Sequence, residues 1–133
     1  MLNFNQTKLI EKALDAAWLR NEIIAHNIAN ADTPGYKKMG VKFEDELKAA
    51  MEGNDFVGKK TRNKHITIGG RSIDEVEPEV YTVQSTMTRI DENNVDIESE
   101  MVERAKNEIY YNALIQKLSA EFRRLSNIIN EGR

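Results

Sequence analysis

The residues best suited to chemistry are few and scattered along this chain. Its two histidines, His26 and His65, lie far apart in sequence, and the chain has no cysteine. A metal centre or a catalytic site needs several such residues converging on one point, so neither histidine predicts a site. The segment FVGKKT resembles part of a phosphate-binding loop but lacks its upstream glycine. The sequence therefore predicts no catalytic residue, no metal and no cofactor, and an enzyme is the least expected class.

A cluster of basic residues is the second chemical feature. It comprises Lys59, Lys60, Arg62, Lys64 and Arg71. No aromatic residue is interleaved with these side chains, and the whole chain has a net charge of -3. Nucleic-acid binding needs a basic field and, for single strands, stacking platforms. We therefore expect a solvated loop, or a contact with an acidic surface on a neighbouring molecule, and no nucleic-acid partner.

The strongest turn signal lies in IAHNIANADTPGYKK, residues 24–38, where a helical pattern stops abruptly. Pro34 disfavours helical geometry at Thr33, the residue before it. Gly35 tolerates positive φ at no steric cost. The four residues from Thr33 to Tyr36 therefore predict a type II turn, with proline and glycine at its two central positions.

Two asparagines precede this turn on one side of the helix. Asn30 is predicted to adopt left-handed geometry where the helix stops, with Lys37 and Lys38 complementing the negative helix end. Asn27 lies close to the apolar side, where a buried amide would need partners for its two donors and its acceptor. It either fixes the register of packed helices, as polar seam residues do in coiled coils, or is a solvated amide beside a cap.

Two long amphipathic helices must position these residues. The first is predicted from about Gln6 to Ala31, and the second from its N-cap Asp96 to about Asn130. Their apolar residues recur at alternating steps of three and four, the spacing of a coiled-coil seam, with Asn21 interrupting the first and Arg104 and Glu108 the second. The first seam comprises Ile10, Leu14, Ala17, Ile24 and Ile28. The second seam comprises Tyr111, Ile115, Leu118, Phe122, Leu125 and Ile129.

The middle of the chain gives weaker signals. Phe43, Leu47 and Met51 recur every four residues and predict a short helix, and EVYTVQSTMT predicts a strand. The glycine-containing stretch between them predicts a flexible basic loop with at most one short strand. We expect a mainly α fold with long terminal helices packed as a coiled-coil-like pair. The segments are 1–36 (helix and turn), 37–94 (short helix, loop and strand) and 95–133 (helix).

Two separate motifs resemble those of the bacterial flagellar axial proteins, the family of rod, hook and hook-associated proteins. The first is Asn-Ile-Ala-Asn at 27–30 followed by Thr-Pro-Gly-Tyr at 33–36. The second resembles the closing segment of the short basal-body rod proteins and comprises Asn93 to Asp96, Glu98, Glu100, Met101 and the run from Tyr111 to Leu114. Glu92 departs from the pattern, which has a glycine before the paired asparagines.

The resemblance implies a structural subunit of the proximal rod in the flagellar basal body. Such proteins pair their terminal helices into a layer that lines a tube, and the rod transmits torque across the periplasm. The implied partners are other rod and basal-body proteins, copies of the chain itself and the flagellar export apparatus. Export without a cleaved secretory signal agrees with an N-terminus that lacks a basic leader and an apolar run. No stretch approaches the roughly 18 apolar residues of a membrane span.

Two other functions would use the same features. A cytoplasmic helical adaptor or export chaperone would present the same apolar stripes, so periodicity does not separate it from a rod subunit. A nucleic-acid binder would use the basic segment from Lys59 to Arg71. Steep salt dependence of binding to a generic duplex would identify that second alternative.

Overall fold

A computed structural model describes residues 4–53, 75–84, 90 and 92–131. Its elements are α1 (Phe4–Ala29), β1 (Met39–Lys42), α2 (Glu44–Gly53), β2 (Glu79–Thr82) and α3 (Ile97–Glu131). α1 packs against α3, and β1 pairs with β2 in an antiparallel sheet that contacts α1. The predicted mainly α fold, with paired terminal helices and a small β-containing middle, is confirmed. The basic cluster from Lys59 to Arg71 lies outside the described residues.

The two long helices run antiparallel. Asn27 near the end of α1 contacts Glu100 near the start of α3, and Ala17 contacts Asn107 further along. α1 has 26 residues and α3 has 35, a difference of nine. At about 1.5 Å per residue, the extra length is about 14 Å. Because the helices are level at the Asn27 end, this extra length lies at the C-terminal end of α3.

Side chains cap the helix ends that meet at Asn27. The predicted N-cap Asp96 is confirmed, since its Oδ1 accepts the Glu98 N–H at 3.1 Å. The prediction of left-handed geometry at Asn30 is wrong, because positive φ among the described residues occurs at Gly35 and Glu92. Asn30 instead donates its side-chain amide to the His26 carbonyl at 2.8 Å, and tight turns follow. Its side chain thus does the capping that a left-handed backbone would have done.

The small sheet contains one strand that the sequence did not predict. β1 has only four residues, and one of them is Gly40. The strand is therefore too short to show an alternation of apolar and polar residues. Gly40 pairs with Tyr81 of β2, and a Cβ at Gly40 would lie 2.8 Å from the tyrosine ring. Glycine is therefore required for the ring to cover the strand. The Lys42 ammonium lies 4.8 Å from the centroid of the same ring.

A small apolar core joins the middle of the chain to α1. Its buried members are Ala13, Ala16, Phe43, Ala50 and Val76, with Leu47 and Leu114 packed against them. The alanines of α1 let α2 approach closely, and the predicted helix over Phe43–Met51 is confirmed with bounds Glu44–Gly53. Arg20 of α1 holds both carboxylate oxygens of Glu44 at 2.7 Å, which fastens the start of α2.

Candidate functional site

Asn27 is the centre of the contact between α1, β1 and α3. Its side chain is buried, with 1% exposed. Its Nδ2 donates to the Met39 carbonyl at 2.8 Å and to Glu100 Oε2 at 3.0 Å. Its Oδ1 accepts the Met39 N–H and the Tyr36 hydroxyl, each at 3.0 Å. The amide therefore uses both donors and accepts two bonds, as a buried position requires, and it is not the solvated amide considered above.

Tyr36 links this buried amide to the surface. Its single O–H is donated to Asn27 Oδ1, so its oxygen accepts a hydrogen bond from His26 Nδ1 at 3.0 Å. This assigns the imidazole proton to Nδ1. Burial raises the pKa of the Tyr36 hydroxyl, and the negative charge of Glu100 raises it further. The phenol thus stays neutral and keeps donating over the whole physiological range.

Asn93 ties the start of α3 to the end of α1. It is 0% exposed, and its Nδ2 donates to the carbonyls of Asn30, Ala31 and Thr33 at 3.0, 2.9 and 2.9 Å. Its Oδ1 accepts the Val95 N–H at 2.8 Å. These carbonyls belong to the turns that follow α1, so a single side chain from 60 residues further along fastens the segment in which the first helix ends.

Asn94 makes the equivalent connection to the sheet. Its Oδ1 accepts the Lys38 N–H at 2.6 Å, and its Nδ2 donates to the Val83 carbonyl at 2.9 Å. Glu92, just before the pair, has φ 62° and accepts Lys37 Nζ on its carbonyl at 2.5 Å. The family pattern of glycine at this position is explained, because left-handed geometry favours glycine.

Glu100 is a buried carboxylate, 1% exposed, in the first turns of α3. Its Oε1 lies 2.5 Å from Lys38 Nζ, and its Oε2 accepts the bond from Asn27. A buried charge needs such a partner, so Lys38 serves this carboxylate. We call Asn27, Tyr36, Lys38, Asn93, Asn94 and Glu100 the junction. The sequence analysis used Asn93, Asn94 and Glu100 only as marks of the family resemblance and did not predict their hydrogen bonds.

The turn from Thr33 to Tyr36 has the predicted features. Gly35 has φ 73°, and the Tyr36 N–H donates to the Thr33 carbonyl at 3.3 Å. Pro34 supplies the fixed φ of the first central position. The exposed tip of the turn leaves Tyr36 directed back at Asn27. The turn therefore both ends α1 and delivers a hydroxyl to the junction.

The seam of α1 is buried within the chain. Ile10, Ala17 and Ile24 are 1%, 0% and 5% exposed, and Leu14 and Ile28 are half-buried. The interrupting Asn21 is exposed. It lines a groove of about 360 Å³ together with Arg104 and Glu108, the two interruptions of the other seam. The polar breaks of the two seams thus lie on the same groove.

The seam of α3 is only partly covered. Tyr111, Leu118 and Leu125 are half-buried. Ile115, Phe122 and Ile129, spaced seven residues apart on one side, are 40%, 56% and 70% exposed. We call these three residues the open seam. Trp18 of α1 is 64% exposed, so it is not a core residue of this chain.

No helix in the described ranges has the length and apolar composition to cross a membrane. Within those ranges, no group of acidic residues and histidines has the geometry of a metal site. The features that remain are a buried polar junction at one end of a helix pair and exposed apolar side chains at the other. Such a combination suits a protein that holds its helices at a fixed angle and packs against others.

Comparison with known proteins decides among the alternatives. A model of the flagella basal body rod protein family matches residues 11–37, which include Asn27 and the turn. The flagellar basal body rod protein FlgB of Bacillus subtilis (strain 168) is 32% identical over 93% of this chain and 92% of its own length. The chain belongs to the FlgB family of flagellar basal body rod proteins.

Other members of the family match over a similar extent. FlgB of Borreliella burgdorferi is 35% identical over 87% of this chain and 88% of its own length. FlgB of Escherichia coli (strain K12) is 30% identical over 92% and 91%. The chain is therefore a structural subunit of the rod in the flagellar basal body, with other flagellar rod proteins as partners.

Proposed function

We propose that the chain assembles into the tubular rod by burying its open seam against neighbouring subunits. The observation that carries this is the exposure of Ile115, Phe122 and Ile129 at heptad spacing on a helix that already packs through its adjacent side. A stripe with this period is the geometry for a further helix partner. The long α3 then serves two contacts, one inside the chain and one between subunits.

Burial of the open seam would give a weak contact between two subunits, and several such contacts in one assembly would together be strong. Full burial of one large apolar side chain stabilises by about 1.5–3 kcal/mol. Covering the exposed fractions of the three open-seam residues would contribute about 2.5–5 kcal/mol per subunit by the same scale. Each subunit in a tube meets several neighbours, so such contacts act together.

The junction has a different role in this proposal. Its buried hydrogen bonds and the Lys38–Glu100 ion pair fix the register of α1 against α3 before any neighbour binds. The turn from Thr33 to Tyr36 sets where α1 stops. A helix pair held in one arrangement is what torque transmission along a rod requires, because a slipping pair would absorb the twist.

Family membership also supports a route to the rod. We infer export through the flagellar export apparatus without a cleaved secretory signal, followed by assembly in the periplasm. In cells without a working export apparatus, the chain should stay in the cytoplasmic fraction at full length. A chain found shortened at its N-terminus in the periplasm of such cells would contradict this route.

The assembly proposal is tested with one residue of the open seam. Ile129→Glu should abolish motility and incorporation into purified basal bodies, because it places a charge where an apolar neighbour must pack. Asn127→Glu is the matched control: it adds the same charge at an exposed polar position two residues away and should remain motile. Leu118→Glu and Ile28→Glu should also block assembly, but both side chains are half-buried and these variants disturb the helix pair itself.

A motile strain carrying Ile129→Glu would overturn the role of the open seam. Cell fractionation distinguishes a rod subunit from the alternative function considered above. A cytoplasmic adaptor or export chaperone would be recovered with cytoplasmic proteins and be missing from purified basal bodies, whereas a rod subunit is enriched there.

A further inference from the structure

An exposed face of α1, at the edge of its groove with α3, carries an aromatic residue between two carboxylates. Asp15, Trp18 and Glu22 are all exposed and follow the spacing i, i+3, i+7, which places them on one face of the helix. Neither carboxylate has an ion-pair partner in the part of the chain that the structure describes. We call these three residues the acidic face.

The outer side of α3 carries the complementary pattern. Lys117, Ala120 and Arg124 are all exposed and follow the same spacing i, i+3, i+7. Arg124 is 71% exposed and lies 3.4 Å from Glu121 within its own helix, an exposed pair that contributes little. We call Lys117, Ala120 and Arg124 the basic face.

The two faces match in charge, length and shape. The charged residues of each are seven positions apart, which is about 10.5 Å along a helix. Trp18 lies between its two carboxylates along α1, and Ala120 is the small residue between the two cations along α3. Both carboxylates can meet a cation whether the helices cross parallel or antiparallel, because each pattern has charges at both ends.

The two faces cannot satisfy each other within one chain. α1 and α3 contact each other through other residues, such as Asn27 with Glu100 and Ala17 with Asn107, and both faces stay exposed. Contact between them therefore requires two molecules. Two different surfaces meeting head to tail generate a ring or an open helical array, which is the symmetry of a tube.

We propose that the acidic face of one subunit docks on the basic face of a second copy of this chain, with Trp18 seated over Ala120. This inference rests on the proposed function of rod assembly, but it uses other residues than the open seam, although Asp15 and Phe122 line the same cavity. Charge complementarity makes the contact specific for this partner surface, and packing of Trp18 on Ala120 buries apolar area.

Charge reversal and its compensation test this contact. Three variants of the full chain replace the native gene: Asp15→Lys/Glu22→Lys, Lys117→Glu/Arg124→Glu, and all four substitutions together. Each double variant should reduce incorporation into purified basal bodies by about tenfold or more, because like charges then face each other. The quadruple variant should recover to within about threefold of the native level, because its charges again match.

A control variant addresses net charge. Glu75→Lys/Glu77→Lys changes the charge as much as the first double variant does, at exposed positions outside α1 and α3, and should incorporate normally. Equal helix content by circular dichroism in all variants confirms that the substitutions act at the surface. A second readout uses the cysteine-free chain: Glu22→Cys co-produced with Lys117→Cys or Arg124→Cys should give a disulfide-linked dimer in basal bodies.

The outcomes separate this contact from the proposed function. If both double variants fail and the quadruple variant does not recover, the faces meet other rod proteins and the second-copy proposal is wrong. If no reversal has an effect while Ile129→Glu still blocks assembly, the docking proposal is wrong and the proposed function stands. If neither set affects incorporation, both are wrong.

Discussion

At the end of the helix pair where α1 stops and α3 begins, Asn93 and Glu100 are 0% and 1% exposed. At the opposite end, Ile128 and Ile129 of α3 are 54% and 70% exposed. The usual distribution is thus reversed: polar side chains are buried at the first end, and apolar side chains face solvent at the second.

The difference shows how one helix pair can be both rigid and incomplete. The buried polar groups are satisfied inside the chain, so their cost of desolvation is offset without any neighbour. The exposed apolar groups are not covered by the part of the chain that the structure describes, and under the proposed assembly a neighbouring subunit removes them from water. The chain would then fix the angle of its helices by itself and bury the remaining apolar side chains on assembly.

We call the end of the helix pair that contains the junction the closed end, and the opposite end the open end. The largest loss of stability at the closed end is expected from substitution of Asn93. Asn93→Ala removes the donor to three carbonyls and the acceptor of the Val95 N–H, all at a fully buried position. We expect a loss of about 3 kcal/mol in the free energy of unfolding, because the buried Val95 N–H loses its acceptor and three carbonyls lose a donor at the same time. Urea unfolding followed by circular dichroism measures it.

Asn112→Ala is the control for the same substitution at an exposed site, since Asn112 is an exposed asparagine of α3. It should change the free energy of unfolding by less than about 0.5 kcal/mol. A similar small effect of Asn93→Ala would mean that the junction does not hold the helices together.

The sequence predicted the helices well because their signal is local and repeated. α1 and α3 were expected at about Gln6–Ala31 and Asp96–Asn130, and the structure has Phe4–Ala29 and Ile97–Glu131. A heptad pattern sustained over several turns fixes element type and length. β1 escaped prediction because it is four residues long and owes its existence to pairing with β2.

The candidate site was predictable only where its chemistry is local. The proline–glycine turn and the need of Asn27 for partners follow from neighbouring residues. The bonds of Asn93 to Asn30, Ala31 and Thr33 span 60 to 63 positions, and a pair of asparagines before an N-cap signals only a turn. The departure at Glu92 was the one local hint that this segment needs an unusual backbone.

A smaller break of the closed end is Tyr36→Phe, which deletes the hydroxyl between His26 and Asn27. We expect a loss of about 1 kcal/mol at neutral pH, because Asn27 Oδ1 keeps the Met39 N–H as a second donor. Urea unfolding at a series of pH values measures this loss.

The alkaline range adds a second signature. Burial, followed by the charge of Glu100, raises the pKa of Tyr36 above the value of about 10 in an unfolded chain. The stability linked to its neutral form is therefore fully present below about pH 10 and is lost as pH rises through the raised value. The phenylalanine variant should lose less on going above pH 10. Burial also raises the pKa of Tyr110, so a part of the alkaline loss remains in the variant. Identical alkaline profiles would exclude Tyr36 as a contributor.

The closed end can also be improved. Glu92→Gly should stabilise the chain by about 0.5–1 kcal/mol, because a left-handed backbone costs a side-chain-bearing residue more than it costs glycine. The Lys37 bond is made to the Glu92 carbonyl and survives the substitution.

Gly35→Ala is the reciprocal change. An added Cβ there meets nothing within 4 Å, so its cost of about 1 kcal/mol is conformational alone. Thermal unfolding of both variants should show shifts of opposite sign. A destabilised Glu92→Gly variant would show that the glutamate side chain makes a contribution larger than its backbone strain.

The smallest effect is expected at the open end, where Ile129→Ser should change the free energy of unfolding of the monomer by less than about 0.5 kcal/mol. An isoleucine that is 70% exposed has little burial to lose, and serine is close to it in helix propensity. Ile24→Ser, at a position 5% exposed in the other helix, should instead cost several times more, since it removes a covered side chain and buries a hydroxyl. Both are measured by urea unfolding at a protein concentration too low for association. If Ile129→Ser cost as much as Ile24→Ser, the far end of α3 would already be folded against its own chain. The open seam would then have no exposed apolar surface for a neighbour to bury, and the contrast between the two ends would disappear.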